Sequence, residues 1–330
     1  MPVITRRSVI GAALATAVVL PLVGTTQLAE ASTRSVQTVD PTSGRVRYGF
    51  NPGGWWRSAG QTPKSAYDQA VAAFGQPGFM RLWPNRFTTT WRGGLIPTYV
   101  DDAKTPVYIN LGSDVAGVNR GAYDAAWIQI LRTAPKDRWI WFSFAHEPEG
   151  DGFTVAAWQQ AQMRLAKLKA QYAPTNVRFA PLLMGSTFHA SRYRVSATGN
   201  VPWSTWFNFD LSNVDAIGAD LYQWGTQDAT ADTAAAVVNP AIEAARSKGK
   251  GLVVGELGAR NTLTDTGRAT FLKDAVKLFD ASRNVRAVAY FESDNGSKGP
   301  WNLLPKPGTP TSLPKSIAVW KSAVQSSPKS

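Results

Sequence analysis

Eight short runs rich in β-branched and aromatic residues recur along this chain, each followed by a longer amphipathic stretch. This alternation limits the fold more than any other feature. The runs are RVRYGF (45–50), GFMRLW (78–83), TPVYINL (105–111), RWIWFSF (138–144), NVRFAPLLM (176–184), VDAIGADLY (214–222), GLVVGEL (251–257) and VRAVAYFE (285–292). Between them lie SAYDQAVAAF, GAYDAAWIQILRTA, VAAWQQAQMRLAKLKAQYA, TAAAVVNPAIEAARSKG and TGRATFLKDAVKLFDAS, in which apolar residues recur at three- and four-residue steps. That spacing describes helices laid on a sheet. Strands joined through helices run parallel, and eight such units suit a closed (β/α)8 TIM barrel. An open doubly wound sheet is the alternative, but no Gly-x-Gly-x-x-Gly follows the first run. No internal linker interrupts the pattern, so residues 45–330 are expected to form a single α/β domain, the catalytic barrel.

Composition removes several chemistries. Of 330 residues 44% are hydrophobic, enough for a full core. There is no cysteine, and His146 and His189 are the only histidines. Disulfides, thiol nucleophiles, cysteine zinc sites and a three-histidine metal site are thereby excluded, and neither a metal nor a cofactor is expected. No Gly-x-Ser-x-Gly elbow is present to support a Ser-His-Asp hydrolase.

Residues 1–31 read as an export signal: MPVITRR carries the charge, SVIGAALATAVVLPLVG is apolar, and Ala29-Glu30-Ala31 offers small-x-small cleavage. Thr5-Arg6-Arg7-Ser8-Val9-Ile10 resembles a twin-arginine motif, although a general secretory signal carrying two arginines reads similarly. The apolar stretch is short for a membrane span, so no stable span is expected after processing. A Ser/Thr-rich flexible leader follows (32–44), and the destination is the extracellular space or cell wall. The net charge of +12 fits an acidic wall, a uronic-acid polysaccharide or general surface basicity. No dense Lys/Arg cluster marks a nucleic-acid surface, and nothing demands more than a monomer.

Barrel chemistry sits at the C-terminal ends of the strands. In FSFAHEPEGDG (142–152) the fourth run stops at His146-Glu147-Pro148, and in VVGELGAR Glu256 closes the seventh. Either glutamate alone reads as a solvated loop carboxylate. Strands four and seven face each other across a barrel mouth, where two carboxylates about 5 Å apart can cleave a glycosidic bond with retention. Simple alternation puts Ser143 and Ala145 inward with Glu147, Phe142 and Phe144 outward, and Leu252, Val254 and Glu256 on one face. Arg81 is expected either beneath the site bridging carboxylates, on a substrate hydroxyl, or in a buried ion pair. Asp220 shares the face of Tyr222. Glu149 and Asp151 read as solvated or substrate-edge loop residues, His189 as a surface residue, and Glu292 and Asp294 as ends of the eighth strand.

Thirteen tryptophans is a heavy load for this length. Trp55, Trp56, Trp83, Trp224 and Trp301 fall near strand ends, where flat rings can receive the C–H faces of sugars. Trp127, Trp139, Trp141 and Trp158 read as core.

The ordered series GAYDAAWIQI, RWIWFSFAHEPEGDG, WQQAQMRLAKLKAQYAPTNVRFAPL, NVDAIGADLYQW, GLVVGELGA and VRAVAYFES resembles glycoside hydrolase family 26, the β-mannanase-type family in the large clan of retaining (β/α)8 enzymes. The resemblance spans about residues 48–305. It implies that Glu147 is the acid/base and Glu256 the nucleophile. It also implies that His146 binds substrate or tunes the carboxylates, and that Tyr222 hydrogen-bonds the nucleophile. Two departures touch the mouth: Glu-Pro-Glu-Gly replaces the family's Glu-Met-Asn-Gly, and Ser143 stands where the family often has arginine. The expectation is an exported retaining glycoside hydrolase that takes a β-linked mannan-, glucan- or xylan-type polysaccharide or its oligosaccharides. A non-catalytic carbohydrate-binding barrel and a transglycosylase are the alternatives.

Overall fold

The computed structural model describes residues 44–51, 62–84, 87–189, 201–225, 227–260, 262–293, 301–304 and 313–328. The export signal, the leader up to residue 43, Trp55, Trp56 and Asp294 lie outside the described residues. Among the described residues nine strands are present: β1 Arg47–Asn51, β2 Phe79–Leu82, β3 Val107–Asn110, β4 Ile140–Ser143, β5 Val177–Phe179, β6 Leu182–Met184, β7 Ala216–Tyr222, β8 Gly251–Gly258 and β9 Val285–Phe291. They form one parallel sheet in the order β5-β4-β3-β2-β1-β9-β8-β7-β6.

The two ends of that order are one stretch of chain. β5 pairs with β4, β6 pairs with β7, and only Ala180 and Pro181 lie between β5 and β6. The ladder continues across the break: the Ala180 N–H donates to Phe142 O, and the Gly218 N–H donates to Pro181 O. Pro181 has no N–H to give, which divides the fifth run into two short strands. The sheet therefore closes on itself as a (β/α)8 barrel, with the expected eight runs and the fifth one broken.

The helices follow the expected amphipathic segments: Pro63–Phe74, Asp124–Arg132, Val155–Tyr172, Ala234–Ser247 and Asp265–Ala281. Four of them start on a threonine, Thr62, Thr154, Thr233 or Thr264, whose side chain accepts a first-turn backbone N–H. A last helix, Pro314–Ser326, anchors β1 through Trp320 Nε1 donating to Gly49 O.

Two apolar layers hold the barrel. The larger lies between sheet and helices, where Trp127 packs tilted on Phe142 and edge-on to Phe144, and Trp158 meets Trp206 edge-on. The smaller fills the interior with Phe79, Tyr108, Trp141, Ala180, Leu182, Ala216, Val253, Ala287 and Ala289. Large rings from some strands need small residues opposite. Gly218 shows why: a Cβ there would sit 2.5 Å from the Tyr108 hydroxyl. Among the described residues no helix is long and apolar enough to cross a membrane.

Candidate active site

Strand β4 ends at Ser143, four residues before Glu147, so Glu147 does not continue the strand's alternation. Ser143 faces inward, donating to Asn110 Oδ1 at 3.1 Å, while Phe144 packs outward on Trp127. Ala145 departs from the expected inward position: it lies in the outer layer, and its carbonyl accepts from Trp158 Nε1. The reason is backbone conformation. Ala145 and Glu147 both take left-handed φ, +46° and +51°, which non-glycine residues adopt at a cost of about 1–2 kcal/mol each. The two left-handed residues swing His146 and Glu147 into the mouth. Pro148–Gly150 then makes one helical turn, and the Glu147 N–H donates to Leu182 O.

Glu256 reaches the mouth by a different route. Val253 faces the interior, whereas Leu252 and Val254 face the helices, contrary to the expected shared face with Glu256. The register between β7 and β8 slips between the pairs Ala219–Val254 and Asp220–Glu256, leaving Gly255 as a bulge. The bulge turns Glu256 inward beside Asp220. Only glycine fits there, since a Cβ on residue 255 would lie 2.7 Å from Asp220 Oδ1 and from Leu182 Cδ1. A lone glycine inside a strand pattern is the sequence signal for such a bulge, and simple alternation overlooked it.

The two glutamates, His146, Asp220 and Tyr222 converge. Tyr222 donates its hydroxyl to Glu256 Oε2. Burial pushes the Tyr222 phenol well up, and the negative charges of Glu256, Asp220 and Glu147 add to the effect. Asp220 is 1% exposed, with neither carboxylate oxygen hydrogen-bonded. Burial first, then the charges of Glu256 and Glu147, hold its carboxyl well above the usual range, while Arg81 pulls the other way. Arg81 is fully buried beneath this cluster, its guanidinium 4.4 Å from the centre of the Tyr108 ring and 5.1 Å from that of Trp83. Among the described residues Arg81 makes no direct ion pair, so it does not bridge carboxylates through hydrogen bonds; it acts on Asp220 as a nearby buried charge.

Aromatic residues form the wall. The Tyr222 ring packs on Trp301 at 4.6 Å, Trp301 meets Trp224 edge-on at 5.6 Å, and Phe291 lies between Tyr222 and Trp83. Trp83 and Trp224 are half-buried. Trp301 is 2% exposed, so its ring supports Tyr222 and leaves little face for a sugar. Glu292 points away from the mouth: it is buried and accepts the N–H groups of Leu303 and Leu304. His189 is half-buried, its Nε2 3.3 Å from Val237 O.

Glu149 is not a solvated loop residue. It is 2% exposed, and its Oε1 accepts from Met184 N and from the Thr187 hydroxyl, fastening the turn after Glu147 to the segment after β6. Burial pushes the Glu149 carboxyl up to about 7, and burial does the same to Glu292, also to about 7. Both are raised from an ordinary 4.5, so between these values the native state keeps protons that the unfolded chain has released. Their contribution to stability is present in full below the unfolded value and is lost as pH rises through about 7. The melting temperature is expected to fall from pH 5 to pH 8, and Glu149→Gln should flatten that slope in thermal unfolding. A melting temperature that rises across the window would contradict the assignment.

His146, Asp220 and Glu256 each offer one ligand atom, all within 4.8 Å of one another, a donor set that a divalent cation can span. Buried Arg81 opposes a further positive charge beside Asp220.

No family model matches the sequence, and no curated protein does. Solved structures share the fold. A broad-specificity family 5 endoglucanase from Ruminococcus flavefaciens superposes with a TM-score of 0.58 at 16% identity, over 84% of this chain and 95% of that one. The Cel5A endoglucanase of Thermotoga maritima gives 0.55 at 14%, over 86% and 100%. A family 26 β-mannanase from Bacteroides ovatus gives 0.54 at 13%, over 87% and 90%. The protein thus has the (β/α)8 barrel of these glycoside hydrolases, and the likeness extends to family 5 as much as to family 26.

Proposed function

We propose that the protein is a retaining glycoside hydrolase acting on a β-linked polysaccharide, with Glu256 as nucleophile and Glu147 as acid/base. The observation that carries this reading is the convergence of Glu147, from the turn after β4, and Glu256, from β8, on Tyr222 and Asp220, with the Tyr222 hydroxyl on Glu256. That hydroxyl favours the ionised form of Glu256, the form that attacks the anomeric carbon. Glu147 protonates the departing oxygen and later deprotonates the water that releases the sugar. His146, beside Glu147 in the mouth, contacts the sugar or orients the two carboxylates. Half-buried Trp83 and Trp224 offer ring faces to sugar units. The resemblance to family 26 supports the reading, and the family 5 likeness leaves neutral glucan within reach as well as mannan. Export by the twin-arginine route would put the enzyme where such polymers occur.

The experiment is mass spectrometry of the protein after incubation with a panel of 2-deoxy-2-fluoro glycosyl fluorides. These sugars slow release more than attack, so the glycosyl ester accumulates. A covalent adduct on Glu256 is expected, and the fastest-labelling sugar names the glycone. An adduct on another residue would overturn the assignment of the nucleophile. A folded, glycan-binding protein that labels with nothing would favour the non-catalytic binding barrel.

A further inference from the structure

The wall that begins at the Tyr222–Glu256 hydrogen bond continues past its tryptophans to a cation. Cζ of Arg260 lies 5.5 Å from the centre of the Trp224 ring, which meets Trp301, which packs on Tyr222. Gly258 makes this possible, because a Cβ there would stand 2.6 Å from the Tyr222 ring and 3.0 Å from Trp301. Arg260 is thus built into the mouth four residues after Glu256. Its backbone N–H donates to Gln223 Oε1 at 3.4 Å, and Gln223 is fully buried.

The Arg260 guanidinium is half-buried. Among the described residues it pairs with no carboxylate, and its buried Nε donates to nothing. Arg138 is committed to Asp101, Arg178 to Asp215, and Arg268 to the carbonyls of Trp301 and Asn302; Arg81 also lacks a hydrogen-bond partner but is 0% exposed, whereas Arg260 is half-buried. A half-buried guanidinium is weakly hydrated, planar and always charged, and its fork matches a carboxylate. Glu147, Glu149 and Glu256 lie close enough to Asp220 to raise its carboxyl against the opposing pull of buried Arg81, so carboxyl groups outnumber cations in the mouth among the described residues. A neutral sugar gains little from a cation here, whereas an anionic sugar would be repelled unless the rim supplied one. The chain's net charge of +12 adds a long-range attraction for polyanions.

We infer that Arg260, stacked on Trp224, forms a subsite for the carboxylate of a hexuronic acid unit next to the cleaved bond. The substrate is then an acidic β-linked polysaccharide rather than a neutral one. This inference rests on the glycosidase reading above, and its test separates the two.

Affinity electrophoresis would compare wild type, Arg260→Gln and Arg260→Lys in gels containing polymannuronate, glucuronoxylan or hyaluronan. The same polymers with carboxyl groups reduced to alcohols serve as controls. At least one native polymer should retard the wild type more than its reduced form does. Arg260→Gln should weaken that binding about tenfold or more while leaving the reduced polymer unaffected, and Arg260→Lys should restore part of it. Binding of no uronate polymer, unchanged binding by Arg260→Gln, or equal loss on native and reduced forms would each overturn the subsite. Reducing-end release is measured in parallel. Carboxylate-selective binding without any cleavage would keep the subsite and reject the hydrolase, and cleavage of neutral polymers indifferent to Arg260→Gln would do the reverse.

Discussion

Glu256→Ala is expected to lower kcat by about four orders of magnitude or more, with the fold intact. The substitution removes the atom that forms the covalent bond, and what survives the loss of a nucleophile is the modest contribution of binding and oriented dipoles. Asp220 is the one neighbour placed to substitute for it, and its raised pKa argues against that. Burial, the larger cause, outlasts the loss of the Glu256 charge, and with the charge of Glu147 it favours the protonated form, which does not attack. The fold should tolerate the change, since Tyr222 loses one hydrogen-bond acceptor while Asp220 loses a repulsive neighbour. Azide supplies a second, sharper reading. A small anion can enter the space the carboxylate leaves and attack from the same face, so a β-linked substrate should yield the α-glycosyl azide. Circular dichroism and thermal unfolding check the fold, and steady-state rates with and without azide check the role. Hydrolysis within tenfold of wild type would remove Glu256 from the nucleophile's part.

The two glutamates were visible in the sequence because strand ends are where barrel side chains gather, and the eight runs located those ends. The way each glutamate reaches the mouth was not visible, since alternation assumes an unbroken strand. At β8 the Gly255 bulge shifts the count by one, so Glu256 turns inward although Leu252 and Val254 face the helices. At β4 the strand has already ended, and two left-handed residues place Glu147 where a continued pleat would not. Gly255 carried a readable hint, because glycine within an apolar run often marks a bulge. Ala145 and Glu147 carried none, since left-handed backbone at alanine or glutamate follows from tertiary contacts such as Glu147 N–H to Leu182 O. The burial of Glu149 was hidden for a similar reason. Its partners, Met184 and Thr187, come from a segment about 35 residues away, and a sequence reading by local polarity leaves such a carboxylate in solvent. Arg260 was passed over because charge at a strand end is ordinary; what distinguishes it is a half-buried guanidinium beside Trp224 that pairs with no carboxylate among the described residues, a property only the folded chain displays.

Glu147→Ala is expected to act on the two half-reactions unequally, which distinguishes it from a merely damaged site. With a sugar leaving group, departure needs a proton, and the rate should fall by about 10²- to 10⁴-fold, the usual contribution of a positioned acid. With a dinitrophenyl glycoside the leaving group departs without help, so the first step is nearly spared. The second step still lacks its base, and the ester should accumulate. A burst of phenolate followed by a slow steady state, together with a lowered KM, is the expected signature. Azide needs no base to attack the ester, so it should raise the steady-state rate and yield the β-glycosyl azide, the anomer opposite to that from Glu256→Ala. The limb of the kcat/KM profile that reports the acid should also vanish. Glu147→Gln keeps the shape of the side chain in its left-handed position and controls for backbone disturbance; it should reproduce the slow hydrolysis of natural glycosides. If Glu147→Ala slowed dinitrophenyl and natural glycosides equally, with no burst and no azide response, Glu147 would be holding the mouth together rather than moving a proton.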